Sequence, residues 1–547
     1  MQNNTTTDEH TIRLQKLKEL KKRGINPFPS KPSKPATHIV SQAVVLYEKL
    51  ENKIITLQGR IRSLRLHGGS CFGDIEDESG RIQIYFKKDE IGGDSYEILK
   101  DLIDIGDFLS ITGSLTTTHK GEKTLVVKEW ELLTKSLRPL PDKWCGLKNE
   151  DERLRKRYLD ILCDKEIKEL FYKKSKFWNS IRQFLLDKGF LEVETPVLEN
   201  TTGGADAKPF VTHHNALNMD VYLRISMGEL WQKRLMVAGY EKTFEIGRQF
   251  RNEGMDAEHL QDYTQMEFYW AYADYEMGME LVEEMFKYVA EKTFGTLKFK
   301  IHGFDVDLGK VWERYDYQEA VKKFTGVDVL NTDLAEIENK LKELKIEYDK
   351  EGFNITRGID NLWKYCRKQI GGPGFLINEP IEVSPLAKKD DNNPRVVQRY
   401  HVIIAGSELA NGYSELNDPI DQAERFEEQT KLREAGDEEA QMNDYDFVEA
   451  LEYGMPPTTG LGISERVFSF FVDRTLRECQ IFSLMRPKVE HSIQSKVRIT
   501  KDLGINYQQT KELLDKNIKD PITKMHCRES EVIMRALAKH FGQDEEI

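Results

Sequence analysis

Two stretches joined by a short loop constrain the fold of this chain more than any other part of it. EKTFEIGRQFRNEG (241–254) and YTQMEFYWAYADY (263–275) both alternate with the period of two that belongs to β-strands. In the first arm Glu245, Gly247, Gln249 and Arg251 share one face, and Phe244, Ile246 and Phe250 share the other. In the second, Tyr263, Gln265, Glu267 and Tyr269 stand opposite Met266, Phe268 and Trp270. The polar face gathers a guanidinium, carboxylates and aromatic hydroxyls. That is the inventory for an anionic, ring-bearing ligand that also carries an ammonium group. A structural hairpin with a charged solvent face has the same pattern, and the hairpin alone does not decide between the two.

The rest of the chain places this hairpin in a multidomain protein, since 547 residues exceed one compact core. From residue 150 to about 487, helices and strands mix in one large α+β region. RLRKRYLDILCDKEIKELFYKKSKFWNSIRQFLLDKG (153–189) and DLAEIENKLKELKIEYDKEGF (333–353) are helical by periodicity. Five short strands between 54 and 134 predict a small barrel of the oligonucleotide-binding kind. In GRIQIYF, Ile82, Ile84 and Phe86 share one face, while Gln83 and Tyr85 share the other. An outer face with Gln and aromatics can stack and hydrogen-bond single-stranded bases. An exposed Tyr on a strand also occurs with no ligand at all. Ahead of the barrel, residues 11–35 hold eight Lys/Arg against Glu19 alone. Leu14, Leu17 and Leu20 there predict a basic amphipathic helix, either docked with a solvated charged face or touching a phosphate backbone. The expected boundaries are 1–50 for this helix and entry segment, 51–135 for the barrel, 136–152 for a linker, 153–487 for the large region and 488–547 for a polar tail. That tail has a last helix in RESEVIMRALAKHFG.

Two further stretches bear on chemistry. NGYSELND sets Asn411, Tyr413 and Glu415 on one strand face, with Glu408 nearby. In PTTGLGISERVFSFF, Gly460 and Gly462 permit close backbone approach. Ser464 is placed to cap a helix that buries Val467, Phe470 and Phe471, with Arg466 in its first turn. No GxxxxGK[ST], GxGxxG or GxSxG motif occurs, so nucleotide binding would have to rest on arginines and sheet. The six cysteines are dispersed without CxxC spacing, which argues against a zinc site or a disulfide framework and fits a reducing cytoplasm. No apolar run approaches the roughly 18 residues of a membrane span. With a net charge of -13, a nucleic-acid partner would be met by local basic patches.

These stretches together resemble the class II aminoacyl-tRNA synthetases. LDKGFLEVETPVL (186–198), ending its conserved-looking core at Pro196, is similar to their first motif; FRNEG with Glu267 to the second; and GLGISER to the third. TGGADAKPFVTHHNAL, YLRISMGELWQKRL, EVSPLAKKDD, NGYSELND and LRPLPDK resemble the lysyl-tRNA synthetase family in particular, in register from about residue 12 to 488. The resemblance implies an N-terminal five-stranded OB-fold β-barrel that binds the anticodon. A class II catalytic domain built on an antiparallel sheet flanked by helices would follow it. It also implies lysine activation by ATP with Mg²⁺, transfer to tRNA(Lys), a homodimer built on the first motif, and a cytoplasmic enzyme with no membrane association.

Carried over residue by residue, the resemblance gives Arg251 and Arg466 the catalytic roles, on the α- and γ-phosphates. Glu253, His259 and Tyr263 fall to the adenine and phosphates, and Gly203, Glu229, Glu267, Tyr269, Asn411, Tyr413 and Glu415 to lysine. Glu408 and Glu415 match cation ligands, and Phe72, Gln83 and Glu129 match anticodon readers. The chain departs from the family where His401 stands in place of a cation-binding glutamate, and where Ser464 and Glu465 precede Arg466. Aspartate or asparagine ligases are the nearest rivals, but their substrates need a cationic pocket. A non-catalytic tRNA-binding relative would be expected to lack Arg251 or Arg466, and a ligase for a protein acceptor needs no anticodon barrel.

Overall fold

The computed structural model describes residues 8–141, 147–205, 207–254, 256, 258–348, 353–381, 387–434, 442–487, 507–521, 523–528 and 530–531. Two compact units divide it, Met1–Phe482 and Ser483–Ile547. In the second, the helix Tyr507–Asn517 is the main described element. The last helix expected in RESEVIMRALAKHFG falls almost wholly outside the described residues.

The first unit opens with the helix Glu9–Lys22, as the leucine spacing predicts. Part of its charge is turned inward. Arg13 is buried and donates to the carbonyl of Ile105 at 3.0 Å, and Lys16 pairs with Asp104 at 2.6 Å. Lys135, buried at the end of the expected barrel segment, closes the cluster on Asp104 and Asp107 at 2.5 and 2.8 Å. Lys18, Lys21 and Lys22 stay exposed.

The barrel is formed by β1 (Ile54–His67), β2 (Ser70–Glu76), β3 (Arg81–Lys87), β4 (Phe108–Thr117) and β5 (Lys123–Thr134), closed in the order β1-β2-β3-β5-β4. The alternation in β3 decides its inside: Ile82, Ile84 and Phe86 are all buried with Ile55, Leu57, Ile111 and Val127. A helix over Gly93–Leu102, absent from the strand-based expectation, plugs one side with Tyr96, Leu99 and Leu102.

The large region is built on an eight-stranded sheet. Its strands are β6 (Leu191–Glu192), β7 (Lys242–Phe250), β8 (Asp262–Ala271), β9 (Glu313–Asp316), β10 (Gly374–Pro380), β11 (Val396–Ile404), β12 (Ser407–Ser414) and β13 (Thr458–Ser464). They run in the order β9-β10-β11-β12-β13-β8-β7-β6. Neighbours are antiparallel except the outer pairs β9–β10 and β7–β6. The three stretches that looked chemically loaded are thus adjacent strands. Register puts Glu267 and Asn411 opposite Gly462, and Tyr269 and Tyr413 opposite Gly460. The helices Lys165–Asp187 and Tyr275–Phe294 cover the apolar face. Phe177, Ile181, Val282 and Met285 share one core there with Phe244, Met266, Phe268 and Ile463. Among the described residues, no helix is long and apolar enough to cross a membrane.

Two helical expectations are corrected. The run 153–189 is three helices, Glu150–Arg155, Arg157–Cys163 and Lys165–Asp187. Asp164 leaves helical geometry and caps the third by accepting from Glu166 N, while buried Arg157 is drawn to Asp160 at 2.7 Å and to the Glu478 carbonyl. The side-chain cap at Asp164 and the tertiary reach of Arg157 to Glu478 accompany breaks that the continuous periodicity does not show. The run 333–353 is helical only over Leu334–Glu343, which ends before Lys345 takes a positive φ of 55°.

Candidate active site

A cavity of about 510 Å³ opens on the polar face of β8, β12 and β13. Glycines make its room. A Cβ on Gly460 would lie 2.3 Å from Glu415 Oε1, and one on Gly204, where φ is +85°, would lie 2.3 Å from Glu229 Cβ. Gly204 is in the wall, next to Gly203, which the resemblance gives to lysine.

One set of contacts in the cavity is acidic and buried. Glu229, Glu267 and Glu415 are 7%, 5% and 2% exposed. Glu229 Oε2 accepts from the hydroxyls of Tyr413 at 2.7 Å and Tyr269 at 3.4 Å. Glu267 accepts from Gln265 Nε2 at 2.6 Å, Ser226 Oγ at 3.1 Å and Met227 N at 3.4 Å. Glu415 faces Lys233 Nζ across 2.5 Å, and the same ammonium pairs with Glu229. Burial pushes the Glu415 carboxyl up to about 8, against the pull of Lys233, and raises Glu267 as well. Burial works to lower Lys233, but Glu229 and Glu415 together hold it above its ordinary value. Burial and the neighbouring carboxylates keep Tyr269 and Tyr413 protonated far beyond neutral pH, so both serve as donors. Three carboxyl groups thus stand around a single ammonium, a wall with acidic groups to spare for a ligand that brings ammonium groups of its own. Asn411 completes this wall.

A second set of contacts is cationic. Arg251 lies over the Tyr263 ring at 5.8 Å, and its Nε and Nη2 point at the Ile225 carbonyl. Arg466 donates through Nη1 to the Glu408 carbonyl at 3.1 Å and pairs through Nη2 with Glu258. Glu253 and His259 line the same part from the exposed loop, where His259 Nδ1 is 2.8 Å from Asp256 Oδ2. Ser464 Oγ accepts from Arg466 N at 3.3 Å, and Glu465 is buried against Lys174 at 2.6 Å. These two contacts hold Arg466 in place from behind.

For a cation, Glu408 is the carboxylate in reach. One oxygen accepts from Trp363 Nε1, while Oε2 lies 3.7 Å from Arg367 and 3.9 Å from His401. His401 turns its Nε2 to Glu379 at 3.4 Å. Among the described residues no group of three or more His, Cys, Asp or Glu is arranged to hold a metal. A single carboxylate facing a phosphate-binding cavity fits Mg²⁺ delivered by a nucleotide. Glu415 is committed to Lys233 instead.

On the barrel, Phe72 and Tyr85 stack at 4.1 Å and 7° on the outer face, with Gln83 one alternation away from Tyr85. Gln83 Oε1 accepts from Thr124 Oγ1 at 2.8 Å, and exposed Glu129 is paired with Lys34 of the entry segment.

A family model described as tRNA synthetases class II (D, K and N) matches residues 149–486. The chain belongs to that family. A model of the OB-fold nucleic acid binding domain matches residues 55–133 of the synthetase, coincident with the barrel. Relatives over the same span include a lysine–tRNA ligase of a Thermoanaerobacter species, 47% identical over 483 residues covering 87% of this chain and 96% of the relative. Those of Thermosipho africanus and Carboxydothermus hydrogenoformans are 45% and 44% identical, covering 87% of this chain and 95% and 98% of the relatives.

Among the site residues that the sequence did not single out are Lys233 and Glu258. Lys233 had a signal, since GELWQK sets it one helical turn after Glu229. Glu258 had none, because it meets Arg466 through a loop whose path sequence periodicity does not give.

Proposed function

We propose that this synthetase activates L-lysine with ATP and transfers the lysyl group to the 3′-terminal adenosine of tRNA(Lys). One observation carries the reading: the buried carboxyl groups of Glu229, Glu267 and Glu415 stand in the same cavity as the guanidiniums of Arg251 and Arg466. Glu229 receives the α-ammonium, while Glu415 and Tyr269 receive the ε-ammonium. Glu267, Asn411 and Tyr413 complete the wall. A buried charge left unpaired costs several kcal/mol, so neutral or acidic side chains are rejected.

The chemistry needs no protein nucleophile. A lysine carboxylate oxygen attacks the α-phosphorus, the bond to the bridging oxygen of the β-phosphate breaks, and pyrophosphate leaves. A ribose hydroxyl of the tRNA then attacks the acyl carbon and AMP leaves. Arg251 holds carboxylate and α-phosphate together, and Arg466 holds the γ-phosphate, so their work is positioning and charge stabilisation. Tyr263 offers the adenine a ring face, with Glu253 and His259 beside it. Mg²⁺, when bound with the nucleotide at Glu408, offsets phosphate charge. Phe72 stacks an anticodon base whose edges meet Gln83 and Glu129. Exposed Leu186, Leu191, Val197 and Leu198 cluster on the first-motif segment and support a homodimer through it. The cysteine usage supports a cytoplasmic location.

The test is ATP–pyrophosphate exchange with each of the twenty amino acids in turn. Lysine alone should support it. Exchange driven by aspartate or asparagine, or by none, refutes the assignment.

A further inference from the structure

Lys233 has no part in the activity proposed above, yet it sits at the centre of the amino-acid wall. Its side chain is 0% exposed. An ammonium so placed costs several kcal/mol unless it is paired. It has two carboxylate partners where one would satisfy a core ion pair: Glu229, one turn earlier on its own helix (Trp231–Val237 preceded by the loop residue 229), and Glu415 past the end of β12 at 2.5 Å. The rings of Tyr413 and Phe447 flank Nζ at 5.8 and 5.9 Å. Both partners line the cavity and keep an oxygen for other use. Glu229 Oε2 is turned to the two tyrosine hydroxyls, and Glu415 Oε1 lies over the clearance at Gly460. Glu267, the third acid, is held by neutral donors and makes no pair with Lys233 among the described contacts.

We propose that Lys233 is a specificity-determining positioning residue, a built-in counter-ion that fixes the spacing of Glu229 and Glu415 and leaves each of them one oxygen for an ammonium of the ligand. The proposal rests on the lysine-activation reading. Without Lys233, two like charges would face each other across a small buried volume and splay or close on the substrate's own ammonium groups. With it, each acid has one oxygen fixed internally and one to offer. A ligand with a single ammonium then leaves one acid unmet.

The experiment uses the full chain and the lysine-dependent exchange reaction, with KM for lysine and for ATP measured separately. In Lys233→Met, which keeps the length and loses the charge, KM for lysine should rise at least tenfold, with KM for ATP within twofold of wild type. In Lys233→Ala, added ethylammonium should lower the raised lysine KM, and ethanol, of similar size and no charge, should not. A lysine KM within twofold of wild type in folded Lys233→Met, or equal rescue by ethanol, overturns the proposal. So does failure of both variants to fold, or a parallel loss of lysine and ATP affinity, because Lys233 would then be a core support only. A wild-type chain without lysine-dependent exchange sinks the activity itself, before any variant is made.

Discussion

Glu415→Gln tests the amino-acid wall at its most demanding point. The carboxylate is 2% exposed, so solvent screens little of its charge. Lys233 lies on its Oε2 at 2.5 Å, and on the proposed function the substrate ammonium would meet Oε1 above Gly460. A carboxamide has the same shape but a single acceptor. Whichever cation meets the oxygen, the other meets an N–H donor. A hydrogen bond to a charged group contributes roughly 1.5–3 kcal/mol, and the buried setting favours the upper part of that range. A loss of about 2.7 kcal/mol is a hundredfold in rate or affinity. Lysine-dependent ATP–pyrophosphate exchange should therefore fall about a hundredfold in kcat/KM for lysine, with KM for ATP unchanged, since Glu415 has no contact with Arg251 or Arg466 among the described residues. A kcat/KM for lysine within threefold of wild type refutes the reasoning. An ATP KM that rises in step does so too, because the two sets of contacts would then not be separable.

Three further outcomes are expected. Arg466→Lys replaces a two-pronged guanidinium by a point charge and should raise KM for ATP about tenfold or more while leaving KM for lysine within twofold. Gln83→Ala should weaken aminoacylation of tRNA several-fold and leave pyrophosphate exchange intact; equal loss in both assays would contradict separate reader and catalytic parts. Glu199 is 4% exposed, and burial raises its carboxyl from the ordinary 4.5 to about 8, although Trp231 Nε1 donates to it at 2.7 Å. The fold thus prefers the neutral acid, and stability falls as pH climbs from about 4.5 to 8. At roughly 1.4 kcal/mol per unit the effect reaches on the order of 5 kcal/mol at most. Glu199→Gln, which keeps the acceptor and cannot ionise, should raise Tm at pH 8.5 and change it little at pH 5, as thermal melts at the two pH values will report.

The faces of the central hairpin were legible because alternation is a local property. Phe244, Met266 and Phe268 are in the core, and Glu267 and Tyr269 stand on the other side. The burial of that second side was not legible. Glu245 and Gln249 read as a polar surface, yet they are 5% and 0% exposed, because Arg224 reaches across to Glu245 at 2.6 Å and further strands and loops cover the face. Nor does periodicity see a break such as Asp164, where a side-chain cap and the pull of Arg157 on Asp160 end a helix that the apolar spacing would continue. The closeness of Gly204 to Glu229 was not legible for the same reason. Two glycines in succession look alike in sequence, and only the tertiary approach of Glu229 tells them apart.

The contact between Arg466 and Glu258 has a consequence for traffic through the nucleotide end. The guanidinium is met by an anion tethered to the same chain, so on the proposed function an arriving triphosphate would exchange one negative partner for another instead of capturing a bare charge. The tether presents its carboxylate at a high effective concentration that dilution cannot lower. If Arg466 holds the γ-phosphate as proposed, that internal rival would already be at hand when pyrophosphate loosens, shortening the product's stay and tempering the reactant's grip alike.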